Sequence, residues 1–130
     1  MMILDTHVWV WHVQGDARLS KAVAELIRLN ENSGLGVSAF SLWEVAKIVE
    51  KGKLNLYVGI DEWFAIALDY PGIQILPITP QIAAESTRLP GNFHKDPADQ
   101  IIVATARIFD VPLVTVDSEI LNYPHVKLLP

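Results

Sequence analysis

Five acidic residues, among the fifteen in this 130-residue chain, stand where chemistry can be done. Asp5 ends the apolar stretch that opens the chain. Glu44 lies in SLWEVAKIVEKGKL, Asp96 and Asp99 lie in FHKDPADQIIVATA, and Asp117 directly follows LVTV. Carboxylates without thiolates are hard oxygen donors, the ligands suited to Mg²⁺ or Mn²⁺. An ion held in this way activates water and stabilises charge on a phosphodiester. Other chemistries fit less well. The chain has no cysteine, which removes a Cys nucleophile, a thiolate zinc site, an iron–sulfur cluster and a disulfide framework. His7, His12, His94 and His125 show no ligand spacing. Of these, His7 and His94 stand near the acids and could touch substrate, although packing or a surface position explains them better. Ser38 and Ser41 have no His–Asp pattern beside them. Gly34 and Gly36 are too little for a phosphate loop.

The elements that must position these acids alternate along the chain. Residues 2–4 read as a first strand, followed by a short helix over 6–12. Ser20 caps a helix reaching Asn32, with Val23, Leu26 and Ile27 at helical spacing. Residues 35–38 form a second short strand. Ser41 and Glu44 match a capping box that opens a helix to about Lys51. A helix over 61–68 ends at Pro71 and Gly72, and a third strand covers 73–78. Thr79 and Pro80 start a helix to Arg88. Residues 89–95 are a loop. Asp96 and Pro97 then open a helix to Phe109 that is apolar almost all round, the mark of a central, buried helix. A fourth strand is expected over 112–116, a helical turn over 118–122 and a short edge strand over 126–129.

Strands alternating with helices imply right-handed crossovers and a parallel sheet. Short, largely apolar strands imply a sheet covered on both faces. Sites in such sheets lie at the carboxyl ends of the strands. Asp5, Glu44, Asp96, Asp99 and Asp117 then converge on one rim from four separate segments. Taken singly, each has a capping explanation: acids favour helix N-termini, and Glu44 would be the partner of Ser41. Taken together they repel unless a cation neutralises them. Asp96 is the acid that capping explains best.

The bulk properties agree with one catalytic or binding domain spanning residues 1–130. A mass of 14.5 kDa leaves no room for separate cofactor and substrate modules. Apolar residues make up 51% of the chain, enough for a real core. The net charge of −5 argues against nucleic-acid binding through a broad basic patch. Setting four metal-binding acids aside leaves eleven against ten bases, so the acidity belongs mostly to the site. Lys47, Lys95 and Arg107 are candidates for phosphate contacts. Trp9, Trp11, Trp43 and Trp63 are expected in core or interface packing more than in base stacking. No targeting segment or membrane span is expected, and a cytoplasmic, reducing location fits the absence of cysteine. The mean hydropathy of +0.29 is high and suits either doubly covered strands or an apolar surface for a partner.

The stretches ILDTHVWVW, SLWEVAKIVEKGKL, FHKDPADQIIVATA and LVTVDSEI resemble, in order and spacing, the four motifs of the PIN-domain family. Within it they resemble the VapC-type toxins of bacterial and archaeal toxin–antitoxin pairs. The resemblance runs from residue 2 to about 129. It implies a three-layer α/β/α sandwich with a mainly parallel central sheet. It implies a Mg²⁺- or Mn²⁺-dependent endoribonuclease, homodimeric, with an antitoxin protein as partner. Position by position it makes Asp5, Glu44, Asp99 and Asp117 the metal-binding and catalytic acids. Asp96 belongs to a DPxD variant and is accessory. Thr115, two residues before the last acid, orients the site. Val116 departs from the pattern, since many relatives carry a basic residue there; a phosphate contact is lost but no ligand.

Two other classes remain open on the sequence. One is a PIN nuclease of RNA processing that is not a toxin. The other is a non-catalytic interaction module whose acids only cap helices. A haloacid-dehalogenase-type phosphatase would need an acid where His7 stands. A response-regulator receiver would need an acidic pair near the first strand and a lysine after a late one.

Overall fold

Met2, Ile3 and Leu4 are all buried, but in two different cores. A strand sends successive side chains to opposite faces. Met2 and Leu4 pack with Trp9, Ile27, Val45 and Trp63, whereas Ile3 packs with Ile102, Val103, Leu113 and Ile120. The first strand is therefore covered on both sides, which is why its sequence is uninterruptedly apolar.

The computed structural model describes residues 1–130. The strands are β1 (Met2–Leu4), β2 (Leu35–Ser38), β3 (Ile73–Leu76), β4 (Leu113–Val114) and β5 (Leu128–Leu129). The helices are α1 (Thr6–Gln14), α2 (Lys21–Leu29), α3 (Ala39–Glu50), α4 (Ile60–Leu68), α5 (Pro80–Ser86), α6 (Pro97–Phe109) and α7 (Ser118–Leu121). All strand pairs are parallel, in the order β3-β2-β1-β4-β5. α1, α2 and α4 cover one face of the sheet. α6 and α7 cover the other, with α5 packed on α6. This is the expected three-layer α/β/α sandwich.

From β1 the chain moves outward to β3, then returns to the far side of β1 for β4. The strand order thus reverses between β1 and β4, and the crevice above their carboxyl ends is where such folds place a site. Register fixes that junction: Ile3 lies opposite Leu113 and Leu4 opposite Val114. The Asp5 N–H donates to the Val114 carbonyl at 2.9 Å, so the acid after β1 is tied to the end of β4. On the other flank of β1, a Cβ at Gly36 would lie 2.7 Å from Leu76 Cδ1 and 3.2 Å from Ile3 Cγ1. A larger residue in β2 would have to displace the Leu76 side chain and press on Ile3.

The first two strands have the expected bounds, whereas the last three are shorter than the sequence suggests: β3 ends at Leu76, and β4 and β5 span two residues each. One helix start also differs. α3 begins at Ala39, with Ser38 as its cap accepting from the Phe40 N–H at 3.1 Å. Ser41 is therefore inside the helix, buried, with its hydroxyl 2.8 Å from Thr6 Oγ1. The Ser41–Glu44 capping box does not form, and Glu44 stands in the second turn with no capping duty. Trp9 and Trp63 are fully buried and meet edge to face at 5.2 Å, as core packing requires. Trp43 is 57% exposed and lies outside the core. No helix is long and apolar enough to cross a membrane.

Candidate active site

Asp5, Glu44, Asp96, Asp99 and Asp117 line one cavity of about 430 Å³, together with His7, Val116 and Ser118. Four segments deliver them, as the sequence suggested. Asp5 follows β1, Glu44 projects from α3, Asp96 and Asp99 stand at the start of α6, and Asp117 follows β4 by way of Thr115 and Val116.

Capping and convergence turn out to be compatible. Asp5 Oδ1 accepts from the Thr6 N–H at 2.8 Å. Asp96 Oδ1 accepts from the Asp99 N–H at 3.1 Å, and Asp117 Oδ1 accepts from Glu119 N–H at 2.8 Å. Each cap occupies one oxygen of a group that has two, with about four lone-pair sites between them. Asp99 and Glu44 cap nothing. Asp99 stands in the first turn of α6 without accepting a capping bond, and Glu44 lies well inside α3.

Thr115 ties the two strand-end acids together. Its hydroxyl donates to Asp5 Oδ2 at 2.6 Å and accepts from the Asp117 N–H at 3.0 Å. Asp5, at 5% exposure, is thereby held by both of its oxygens. Thr6 plays a related part on the other side, between Ser41 and Glu44. Nothing in the sequence signals the Thr6–Ser41 contact.

The electrostatics show the strain of gathering these charges. Burial pushes the Asp5 carboxyl upward, against the pull of its Thr115 and Thr6 bonds. Burial does the same to Glu44, helped by Asp5 and Asp96. Asp99 is pushed up to about 8, by burial first and then by Asp5, Asp96, Asp117 and Glu44. A metal-free site must hold a proton there near neutrality, or else a cation takes the proton's place. The donor set fits a divalent ion: hard carboxylate oxygens, buried, mutually repelling and free of thiolate.

The candidate phosphate contacts fare unequally. Arg107 sits in the last turn of α6, about 12 Å along the helix from Asp99 at 1.5 Å per residue. It is bonded to Glu85 at 2.8 Å and to the His125 carbonyl at 2.5 Å. It is a structural clamp and lies away from the cavity. Lys47 is paired with Glu50 at 2.7 Å and lies over the Trp43 ring. It borders a cleft whose wall includes Glu44 and Asp96, next to the acidic cavity. His7 lines the cavity itself. His94, read from the sequence as packing or surface, has its Nε2 2.9 Å from Asp99 Oδ2. The only sequence signal for it was its place five residues before that acid.

The fold and site together define a class: a parallel α/β/α sandwich with a carboxylate cavity at its topological switch point. The PIN domain family matches residues 2–126. A curated relative, "Ribonuclease VapC22" of Mycobacterium tuberculosis (strain ATCC 25618 / H37Rv), is 32% identical over 126 residues, covering 97% of this chain and 94% of the relative. The chain belongs to the PIN-domain family. Two solved structures are similar in fold. VapBC2 from Rickettsia felis, bound to a DNA fragment from their promoter, superposes with a TM-score of 0.73 at 16% identity, over 98% of this chain and 96% of that one. A toxin–antitoxin complex from Klebsiella pneumoniae gives 0.63 at 18% identity, over 100% and 97%.

Proposed function

We propose that this protein is a metal-dependent endoribonuclease and the toxin half of a toxin–antitoxin pair. The observation that carries the chemistry is the single cavity lined by five acids from four chain segments. The relative named a ribonuclease supports the reaction class, and the solved toxin–antitoxin complex of like fold supports the partner.

Asp5, Glu44, Asp99 and Asp117 would hold Mg²⁺ or Mn²⁺. When bound, such an ion lowers the pKa of a water and offsets charge on the phosphodiester under attack. The chain's own contributions can be followed residue by residue. Thr115 fixes Asp5 and the start of α7 relative to each other, so the two strand-end carboxylates stay in register. Asp96, capping α6, is accessory: it sets where Asp99 leaves the helix. Asp99, whose proton is held first by burial and then by the neighbouring acids, would exchange that proton for a cation's charge. With those charges neutralised, the rim formed by Asp5, Glu44, Asp99 and Asp117 would tolerate a phosphate that it otherwise repels, which would let a chain of net charge −5 take a polyanionic substrate.

The exposed surface supports the reading of the partners. Leu29, Trp43, Tyr57 and Phe109 are large apolar side chains left exposed. They support a homodimer and an antitoxin that covers part of the chain. An antitoxin reaching the cavity would bring a basic side chain, because a covered cluster of acids is costly without one. A cytoplasmic location is part of the same reading.

The test is a calorimetric Mn²⁺ titration of the wild type and Asp5→Asn, run beside an RNA-cleavage assay with and without EDTA. Saturable binding and cleavage by the wild type alone are expected. Equal binding by both proteins, or cleavage undiminished by EDTA, would refute the proposal.

A further inference from the structure

His94 is placed oddly for a surface or packing histidine. Its Nε2 is buried and has no hydrogen-bond partner, although it lies only 2.9 Å from Asp99 Oδ2. The contact is an ion pair if the ring is protonated, but it does not have the geometry of a hydrogen bond. A buried ring nitrogen this close to an acid, yet not bonded to it, calls for another explanation.

The ring is also held. It meets Phe93 edge to face at 4.7 Å, and Phe93 in turn packs on Tyr123, whose hydroxyl donates to the Pro90 carbonyl. The His94 carbonyl accepts from Gln100 Nε2 at 3.1 Å. The loop before α6 thus presents the imidazole in a fixed pose, without relying on Asp99 to orient it. One nitrogen of His94, one oxygen of Asp99 and one of Asp117 all lie within 4.8 Å of one another. Octahedral coordination at about 2.1 Å separates neighbouring ligand atoms by about 3 Å. The observed 2.9 Å between Nε2 and Oδ2 matches that edge.

We propose that His94 is a nitrogen ligand of the metal site, joining Asp99 and Asp117 in a mixed histidine–carboxylate centre. This rests on the metal-dependent reading above and adds a ligand that an all-carboxylate site lacks. Imidazole favours transition ions over Mg²⁺, increasingly from Mn²⁺ to Co²⁺. The site then binds Co²⁺ more tightly than Mn²⁺, and Mn²⁺ more tightly than Mg²⁺. Carboxylates alone follow the same order, so the mark of His94 is a wider gap between Co²⁺ and Mg²⁺, which narrows when the imidazole is removed.

The experiment reads the metal directly, without activity. The wild-type protein is loaded with Mn²⁺, and nitrogen coupling is measured by pulsed electron paramagnetic resonance. His94→Phe keeps a ring against Phe93 but has no donor nitrogen; His94→Gln serves as a second variant. A directly coordinated nitrogen is expected in the wild type and absent from both variants. Co²⁺ affinity should fall at least tenfold in His94→Phe, and Mg²⁺ affinity less than threefold. Mn²⁺ bound saturably with no nitrogen coupling would overturn the assignment of His94 and leave the carboxylate reading standing. Equal loss of Mg²⁺ and Co²⁺ would also overturn it, since that pattern marks a general disturbance of Asp99. Absence of saturable Mn²⁺ binding by the wild type would sink both readings.

Discussion

Raising the pH should destabilise this protein when it is free of metal, and Asp99 sets the size of the effect. Its carboxyl keeps a proton to about pH 8, whereas an ordinary aspartate loses it near 3.8. The folded chain therefore binds a proton that the unfolded chain releases across that window. Tighter proton binding by the folded state makes stability fall as pH rises, from about pH 4 to about pH 8. At about 1.4 kcal/mol per pH unit, the window sets a ceiling of about 6 kcal/mol. The side chain is 13% exposed and faces an open cavity. Screening there brings the expected loss to about 2 kcal/mol. Asp99→Asn mimics the protonated acid at every pH and removes this contribution. Thermal unfolding in EDTA should give nearly equal melting temperatures for the two proteins at about pH 4, where the window opens. At pH 9 the variant should melt higher by about 8 °C, the equivalent of about 2 kcal/mol for a chain of this size. A smaller fall should survive in the variant, because Asp5 and Glu44 are displaced in the same direction. Saturating Mn²⁺ at pH 9 should restore the wild type and not the variant. Superimposable pH curves for the two proteins would refute the account of crowded, proton-sharing carboxylates.

Asp96 and Asp99 should separate by mechanism. Asp96→Asn keeps an N-cap and should change stability by under about 0.5 kcal/mol with modest loss of RNA cleavage, whereas Asp96→Ala should cost about 1 kcal/mol in urea unfolding; Asp99→Asn should abolish cleavage. Thr115→Val leaves a buried Asp5 oxygen and the Asp117 N–H without their partner. It should cost about 2 kcal/mol and weaken Mn²⁺ binding at least tenfold, and Thr115→Ser should recover most of both. RNA retention on a filter should rise on adding Mn²⁺ at constant ionic strength. That gain should vanish in the Asp5→Asn, Asp117→Asn double variant; strong retention by the metal-free wild type would instead point to a basic surface as the recruiting element.

Much of this protein was legible in its sequence because the informative signals are local. An apolar triplet ending in Asp5, a Thr79-Pro80 helix start and an Asp96-Pro97 cap are decided by neighbours a few residues apart. Alternation of such segments suffices for the parallel α/β/α order, and that order suffices to send the acids that follow strands to one rim. The same local logic failed at Ser41. A capping-box pattern was present, but Ser38 took the cap, and a buried contact with Thr6 claimed the Ser41 hydroxyl instead. What the tertiary structure alone decided are the relations between segments. Thr115 reaches Asp5 across 110 residues of chain because β1 and β4 pair in one register. Arg107 is removed from the cavity by the length of α6, and His94 is brought against Asp99 by the packing of Phe93 on Tyr123. The proton that Asp99 holds has the same origin. Its cause is burial together with the charges of four other acids, three of them on other segments. Composition can place acids on a rim, but how deeply they sink and how close they come depends on the sum of packing across the whole sheet.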